Sequence, residues 1–397
     1  MDWRQAACIA LIGAFGMGLG ACDDFSRSPG AKAPAGAAQA IAAPTSADSR
    51  PTAGPALASE PASAATPGVD ASASVTAPAA VPASADPEAA AIEASVFGAG
   101  DVPQARRRLL IKLEVLLDRA HFSPGVIDGK PGANLKRALA AFQQARGLAG
   151  DGSVEGASID ALTAADSGPV TQNYVITAAD EKGPFLGKLP VGFADLAKLD
   201  HLGYVDPVQE LAEKFHMDEG LLRALNPKSD FSLAGTSIVV VRPGSGDLGG
   251  AVARVEVDKS ANQLRALDAG GKLLAAFPAT VGSTERPAPA GEWAVASVTA
   301  NPNYTYDPSR LTFGPAAKGK LTIAPGPNNP VGSTWIALTK ETYGIHGAPD
   351  PTRVGKTASH GCVRLTNWDA AALGRAVKKG TPVVFLGSEK DTPRRSP

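Results

Sequence analysis

The sequence predicts a multidomain chain that is mainly β in its C-terminal part. A small three-helix domain, a β-α-α-β module and a disordered N-terminal linker precede that part. Three observations predict this. The 397 residues exceed what one ordinary domain holds. Glycine (43) and proline (33) are abundant enough that part of the length is expected to stay unfolded. The apolar period also changes along the chain, from three- and four-residue steps between about 105 and 166 to short strand-like runs beyond 252. Lysine and arginine total 38 against 39 acidic residues, which argues against a protein built mainly to neutralise nucleic-acid phosphates.

Residues 1–21 read as a secretory signal: Arg4, an apolar run from about Ala6 to Leu19, then small residues ending before Cys22. The run falls short of the roughly 20 residues a membrane-spanning helix needs. Leu19-Gly20-Ala21-Cys22 resembles a bacterial lipobox, which implies cleavage before Cys22 and its acylation as the lipid attachment site. The resemblance further implies, through Asp23, retention at the inner membrane of the cell envelope. An ordinary secreted protein cut nearby is the alternative. Residues 22–97 are rich in Ala, Pro and Ser, with no aromatic residue between Phe25 and Phe97, and cannot bury enough surface to offset ordering entropy. They are expected to form a disordered tether of about 50 Å typical end-to-end distance, or a leader without spacing duty.

In 98–168, Leu109, Leu110, Leu113, Leu116 and Leu117 mark one helix face, and Leu135, Ala138, Leu139 and Phe142 a second, stopped by Gly147. Ile159 and Leu162 mark a third short helix. The string FSPGVIDGKPG…ALAAFQQARGL resembles the three-helix peptidoglycan-binding domain, which implies glycan strands as a partner. Phe142, Gln143 and Asp128 read as packing and turn residues. Residues 169–245 hold a strand YVIT, helices near Val208 to Phe215 and Asp218 to Leu225, and a strand SIVVVRP, an order similar to a degenerate LysM module. The insert around Pro184 to Leu202 makes the segment longer than such a module, and a structural spacer is the alternative.

From 250 to 388 strands are expected at Val252 to Val257, Gln263 to Leu267, Leu273 to Val281, Glu292 to Val298, Trp335 to Leu338 and Val383 to Leu386. A helix at Trp368 to Val377 is expected to be capped by Asn367 and stopped by Gly380. Residues 389–397 read as a disordered tail.

The chemistry concentrates in GIHGAPDPTRVGKTASHGCVRLTNWDA. If Cys8 leaves with the signal and Cys22 is acylated, Cys362 is the one free thiol, and an unpaired thiol in an oxidising compartment calls for a use. An imidazole beside it can accept its proton and make it competent to attack an amide carbonyl. Gly361 and Gly347 leave amides able to hold an oxyanion.

IHG…SHGCVRLTN, with VDKSANQLRAL, NPNYTYDP, PGPNNPVGSTWIAL and NWDA, resembles the YkuD-type L,D-transpeptidase catalytic domain from about Val252 to Leu386. The resemblance implies a mixed β-sandwich with Cys362 as nucleophile and His346 as general base, and Gly347 as the residue whose carbonyl orients the imidazole. It also implies that Ser359 and His360 shape the cysteine loop and that Gly361 with Cys362 supplies oxyanion amides. Arg364 is expected to orient that loop or meet a substrate carboxylate. The implied reaction is formation of 3→3 cross-links between peptidoglycan stem peptides with release of D-Ala, needing no metal or organic cofactor and open to acylation by carbapenems. A cysteine peptidase or L,D-carboxypeptidase that hydrolyses stem peptides is the alternative; zinc held by His346, His360 and Cys362, or an inert buried loop, are weaker ones. Tyr304, Tyr306 and Trp335 are candidate groove residues, or packing residues. Pro325 to Pro330 reads as a rigid loop and a candidate lid.

Overall fold

The computed structural model describes residues 86–98, 102–283, 287–309, 319–359 and 361–387. The expected signal, Cys22, most of the tether, His360 and the 389–397 tail lie outside the described residues.

The tether ends earlier than residue 97, because helix α1 (Pro87–Glu93) belongs to the folded part. Asp86 caps it by accepting from the amides of Glu88 and Ala89, and Pro87 opens its first turn. Ala89 and Ile92 are fully buried at helical spacing, and Glu88 pairs with Arg108 on the next helix. An alanine-rich composition concealed a cap followed by an i, i+3 apolar pair.

Helices α2 (Pro103–Arg119), α3 (Ala133–Ala145) and α4 (Gly156–Ala165) follow. Buried Glu114 accepts from the amides of Asp128 and Gly129 and so closes the turn between α2 and α3. Gln143 bridges Ser153, Ser158 and the Gly152 amide, which fits a packing role. Strand β1 (Thr171–Val175) pairs antiparallel with β2 (Ser237–Val241). Between them lie α5 (Ala178–Lys182), α6 (Phe193–Leu196), α7 (Pro207–Lys214, capped by Asp206) and α8 (Glu219–Leu225, capped by Asp218). The two regions expected as separate modules share one hydrophobic core, which runs from Ile92 through Leu117 and Phe142 to Leu211, Leu222 and Val240. Main-chain bonds from Ile127 N–H to His216 O and from Asp218 N–H to Ile127 O, both 2.9 Å, stitch them together.

The C-terminal region contains β3 (Arg254–Asp258), β4 (Gln263–Leu267), β5 (Leu273–Pro278), β6 (Thr280–Val281) and β7 (Gly291–Ala300). After the short strands β8 (Tyr304–Tyr306) and β9 (Leu321–Ile323) come β10 (Thr334–Leu338), β11 (Gly344–His346), β12 (Val363–Arg364), α9 (Asn367–Ala376) and β13 (Pro382–Leu386). Hydrogen bonding joins nine strands in the order β5-β4-β3-β13-β7-β10-β11-β12-β6, with β8-β9 as a separate pair. The ladder therefore runs through ten-residue β7, which pairs with β13 at one end and β10 at the other, instead of forming two unlinked sheets of a sandwich. Apolar residues of both halves, among them Val255, Leu264, Ile336 and Val363, still join one core with α9. The cap of α9 is Thr366, one residue before the expected Asn367, because the Thr366 hydroxyl accepts the Asp369 amide.

Two contacts weld the halves of the protein. Residues His121 and Ser123 bond the backbone of Ala276, so that Ala276 faces the helical core while Ala275 and Phe277 face the sheet core. Asp118 of α2 lies 3.1 Å from His216 Nδ1 and accepts from Gly244 N–H, and the His216 ring stacks on Trp368 of α9 at 4.7 Å.

Candidate active site

The site lies where β11 meets β12. These strands run parallel, with Ile345 opposite Val363 and His346 opposite Arg364. Side chains alternate along a strand, so His346 and Arg364 share one sheet face. Cys362 lies in the turn immediately before β12, with its sulfur beside the Gly344 backbone. Ile345 and Val363 point the other way into the core and fix the register. Cys362 is partly exposed, whereas His346 is buried.

The imidazole is held from two sides. Its Nδ1 lies 2.7 Å from the Gly347 carbonyl oxygen. In the neutral ring this favours the proton on Nδ1 and leaves Nε2 as the basic nitrogen. Trp335, opposite His346 in the β10–β11 register, stacks on the ring at 5.4 Å. The indole also covers Gly344, where a Cβ would sit 2.5 Å from it. Trp335 is thus a wall of the histidine, not shown in a groove. Asn367 braces Gly347: its Oδ1 accepts from Ser333 N–H at 3.0 Å and would collide with any Cβ at Gly347. Its Nδ2 donates to Glu213 of α7, so the module before the catalytic region reaches the backbone beside His346.

The cysteine turn is tied by Ser359, whose hydroxyl donates to the Cys362 carbonyl at 2.5 Å and whose amide donates to Gly282 O. Gly361 N–H donates to Ser359 Oγ at 3.3 Å, so this amide, expected to be open for an oxyanion, already has a partner. Cys362 Sγ lies 3.8 Å from Thr342 O. Thr342 has φ 69°, a strained conformation for a β-branched residue, and nothing in the sequence signals it.

Burial pushes the Cys362 thiol above its ordinary value, opposed by the Gly344 backbone and the Arg364 charge. Burial, then Arg364, pushes His346 down to about 3, opposed by the backbone of Gly347 and Val331. At neutral pH the pair rests as a neutral thiol and a neutral imidazole. Burial also lowers Arg364, and the Cys362 charge opposes that shift. The Tyr304 phenol is pushed up to about 12 by burial first and by Cys362 second, which puts it within electrostatic reach of the sulfur. Tyr306 is buried, and both it and Tyr304 meet Phe193 edge-on. The Pro325 to Pro330 loop docks on Leu202 and Gly203, and its Pro327 carbonyl accepts from Asn367 Nδ2 at 3.2 Å.

Comparison with known proteins finds two family matches and several relatives. The L,D-transpeptidase catalytic domain family (YkuD) matches residues 253–385, and the peptidoglycan binding domain family matches residues 106–162. YkuD of Bacillus subtilis (strain 168), named an L,D-transpeptidase, is 28% identical over 181 residues, 45% of this chain and 93% of its own length. YqjB of the same organism, named likewise, is 31% identical over 142 residues, 34% of this chain and 72% of its own. A solved L,D-transpeptidase from Mycobacterium smegmatis is 23% identical, with 38% of this chain and 63% of that chain covered and a TM-score of 0.28.

Proposed function

Because the chain belongs to the YkuD-type L,D-transpeptidase family, we propose that it joins peptidoglycan stem peptides by 3→3 cross-links through a thioacyl intermediate on Cys362. The observation that carries this reading is the β11–β12 register, which sets His346 opposite Arg364 with Cys362 in the turn just before β12, and the imidazole anchored through Nδ1.

Since thiol and imidazole rest neutral, the proton moves as the bond forms. Cys362 Sγ attacks the carbonyl between the third residue of a tetrapeptide stem, a diamino acid of L configuration at the reacting centre, and the terminal D-Ala. His346 Nε2 takes the thiol proton. The oxyanion draws on the Cys362 amide and on the Gly361 amide, which exchanges Ser359 Oγ for the stronger charged acceptor. Arg364 adds positive potential. His346 then returns the proton to the departing amine, the C–N bond breaks and D-Ala leaves. An amine from a neighbouring stem attacks the thioester, loses a proton to His346 and restores the thiol.

The preceding peptidoglycan-binding match supports a place in the cell envelope and binding to the wall. A lipid anchor at Cys22 is part of the same proposal. Among the described residues no helix is long and apolar enough to cross a membrane. The test is incubation of the purified protein with tetrapeptide-bearing muropeptides and mass analysis of the products. Dimers that vanish in Cys362→Ala support the reading, whereas shortened monomers alone would reassign the protein to stem-peptide hydrolysis.

A further inference from the structure

The insert between α5 and α7 makes the 169–245 region longer than a plain β-α-α-β module, and its apolar residues turn away from that module. Fully buried Leu202 and buried Leu196 cluster with Ile323 of β9, and Phe193 packs against this cluster. Phe193 meets Tyr304 edge-on at 5.7 Å and Tyr306 at 5.2 Å. The insert is thus the hydrophobic backing of the β8–β9 pair.

The main chain repeats the connection. Leu202 N–H donates to Pro325 O at 2.8 Å and Leu202 O accepts from Asn328 N–H at 3.0 Å, a strand-like exchange between the insert and the loop after β9. Gly326, with φ 142°, sits so close to the Leu202 carbonyl that any Cβ would collide with it. Asn328 Nδ2 donates to Gly203 O at 2.7 Å and to Gln209 Oε1 at 2.9 Å, which extends the attachment to α7. On its other side Tyr304 lies within electrostatic reach of Cys362 and Arg364. The β8–β9 pair thus has the insert packed on it, and Asn329 ties its end to the site: Nδ2 donates to Ala324 O at 2.7 Å, and the Asn329 carbonyl accepts from the amide of Gly332, which abuts Gly347.

We infer that residues 183–205 act as a positioning element for the reaction at Cys362, with Phe193 and Leu202 as positioning residues that set Tyr304 and the β8–β9 pair where the donor stem peptide passes the thiol. This deepens the proposed function and rests on it for the identity of the substrate. Among the described residues, Phe193 packs on the β8–β9 pair and has no bond to Cys362, His346, Arg364 or Asn367, whereas Tyr204 and the docked loop reach Asn367 through Glu213 and Pro327. Truncation at Phe193 therefore alters how the peptide is held and leaves thiol activation intact.

The test uses the full chain and three variants, Phe193→Ala, Phe193→Leu and Gly326→Ala. Phe193→Ala is expected to raise KM for tetrapeptide donors about tenfold while kcat stays within about twofold, with Phe193→Leu between it and the parent. Alkylation of Cys362 by iodoacetamide, a small neutral reagent, is expected to keep its rate in Phe193→Ala. Gly326→Ala, which separates the loop from Leu202, is expected to shift KM in the same direction. Unchanged KM in Phe193→Ala, or an alkylation rate that falls as far as turnover, would overturn the inference. Amide hydrogen exchange probes the same coupling without turnover. Faster exchange at 304–306 and 321–323 in Phe193→Ala, with 344–346 and 363–364 unaltered, supports the positioning role; equal exchange at the hairpin in both proteins contradicts it. A parent protein that fails to turn over stem peptides would sink the assigned reaction and leave this exchange result standing.

Discussion

The β11–β12 pair, which leads to Cys362, and the β8–β9 pair, which the insert backs, are built differently. The first lies inside the nine-stranded sheet, with Ile345 and Val363 in the core and every supporting group except Glu213 drawn from the catalytic region. The second stands outside the sheet and takes its backing from Phe193 and Leu202 of the preceding module. On the proposed reading, thiol activation is a property of the catalytic region with Glu213 as its one outside support, and the insert backs the pair proposed to meet the substrate. Perturbing the first pair should damage chemistry, and perturbing the second should damage recognition.

The largest effect is expected for Cys362→Ala, which removes the attacking atom: turnover of stem peptides should fall by at least about 10⁴-fold, read as product per hour against the parent. Gly347→Ala comes next. Its Cβ collides with Asn367 Oδ1, so the carbonyl that anchors His346 must move; the expected loss is about 100-fold in kcat with KM little changed.

Arg364→Met tests the electrostatics. Arg364 holds the imidazole pKa down and the thiol pKa down, so its loss raises both. Expected are a drop of about 10-fold to 100-fold in kcat/KM and an acid limb displaced to higher pH. In the parent, His346 stays unprotonated far below the ordinary histidine value of 6.5 because its pKa is about 3. The kcat/KM profile should therefore stay level from neutral pH down through pH 5 and fall only as pH approaches that value. An acid limb near 6.5 would show an imidazole that is not buried as described.

The smallest catalytic effect belongs to the joint between the two halves. Asp118→Asn removes the charge that keeps His216 protonated: burial alone would lower the His216 pKa, and the Asp118 carboxylate raises it instead. Stability should drop by about 1–3 kcal/mol in denaturant melts, with kcat for small donors near the parent value.

Much of this arrangement was legible in the sequence. The strand Gln263 to Leu267 appears with the bounds its pattern suggests, and β7, β10, β13 and α9 lie within one or two residues of expectation. Long alternating runs bounded by glycine and proline carry their own signal. Cys362 and His346 stand out as candidates in the sequence because a Gly-flanked thiol near an imidazole has a chemistry of its own. The strands that hold them were not: β11 and β12 have three and two residues, too short for any period to register. The roles of Trp335 and Asn367 beside His346 depend on β-register and on a glycine that admits a side-chain oxygen, both set by tertiary packing. The insert carries apolar residues whose target lies more than a hundred residues away, so local spacing could not separate a spacer from a support. Helix α1 was lost in an alanine-rich run although its cap and Ile92 were present.

The central claim is the covalent intermediate. Intact-mass measurement of the full chain, quenched in acid within seconds of mixing with tetrapeptide stems, tests it most directly. The account predicts a new species heavier by the stem peptide less D-Ala, mapped to Cys362, with one free D-Ala per adduct and loss of the adduct when an acceptor amine is supplied. Continued product formation by Cys362→Ala, or turnover with the acyl group mapped to another residue, would contradict it.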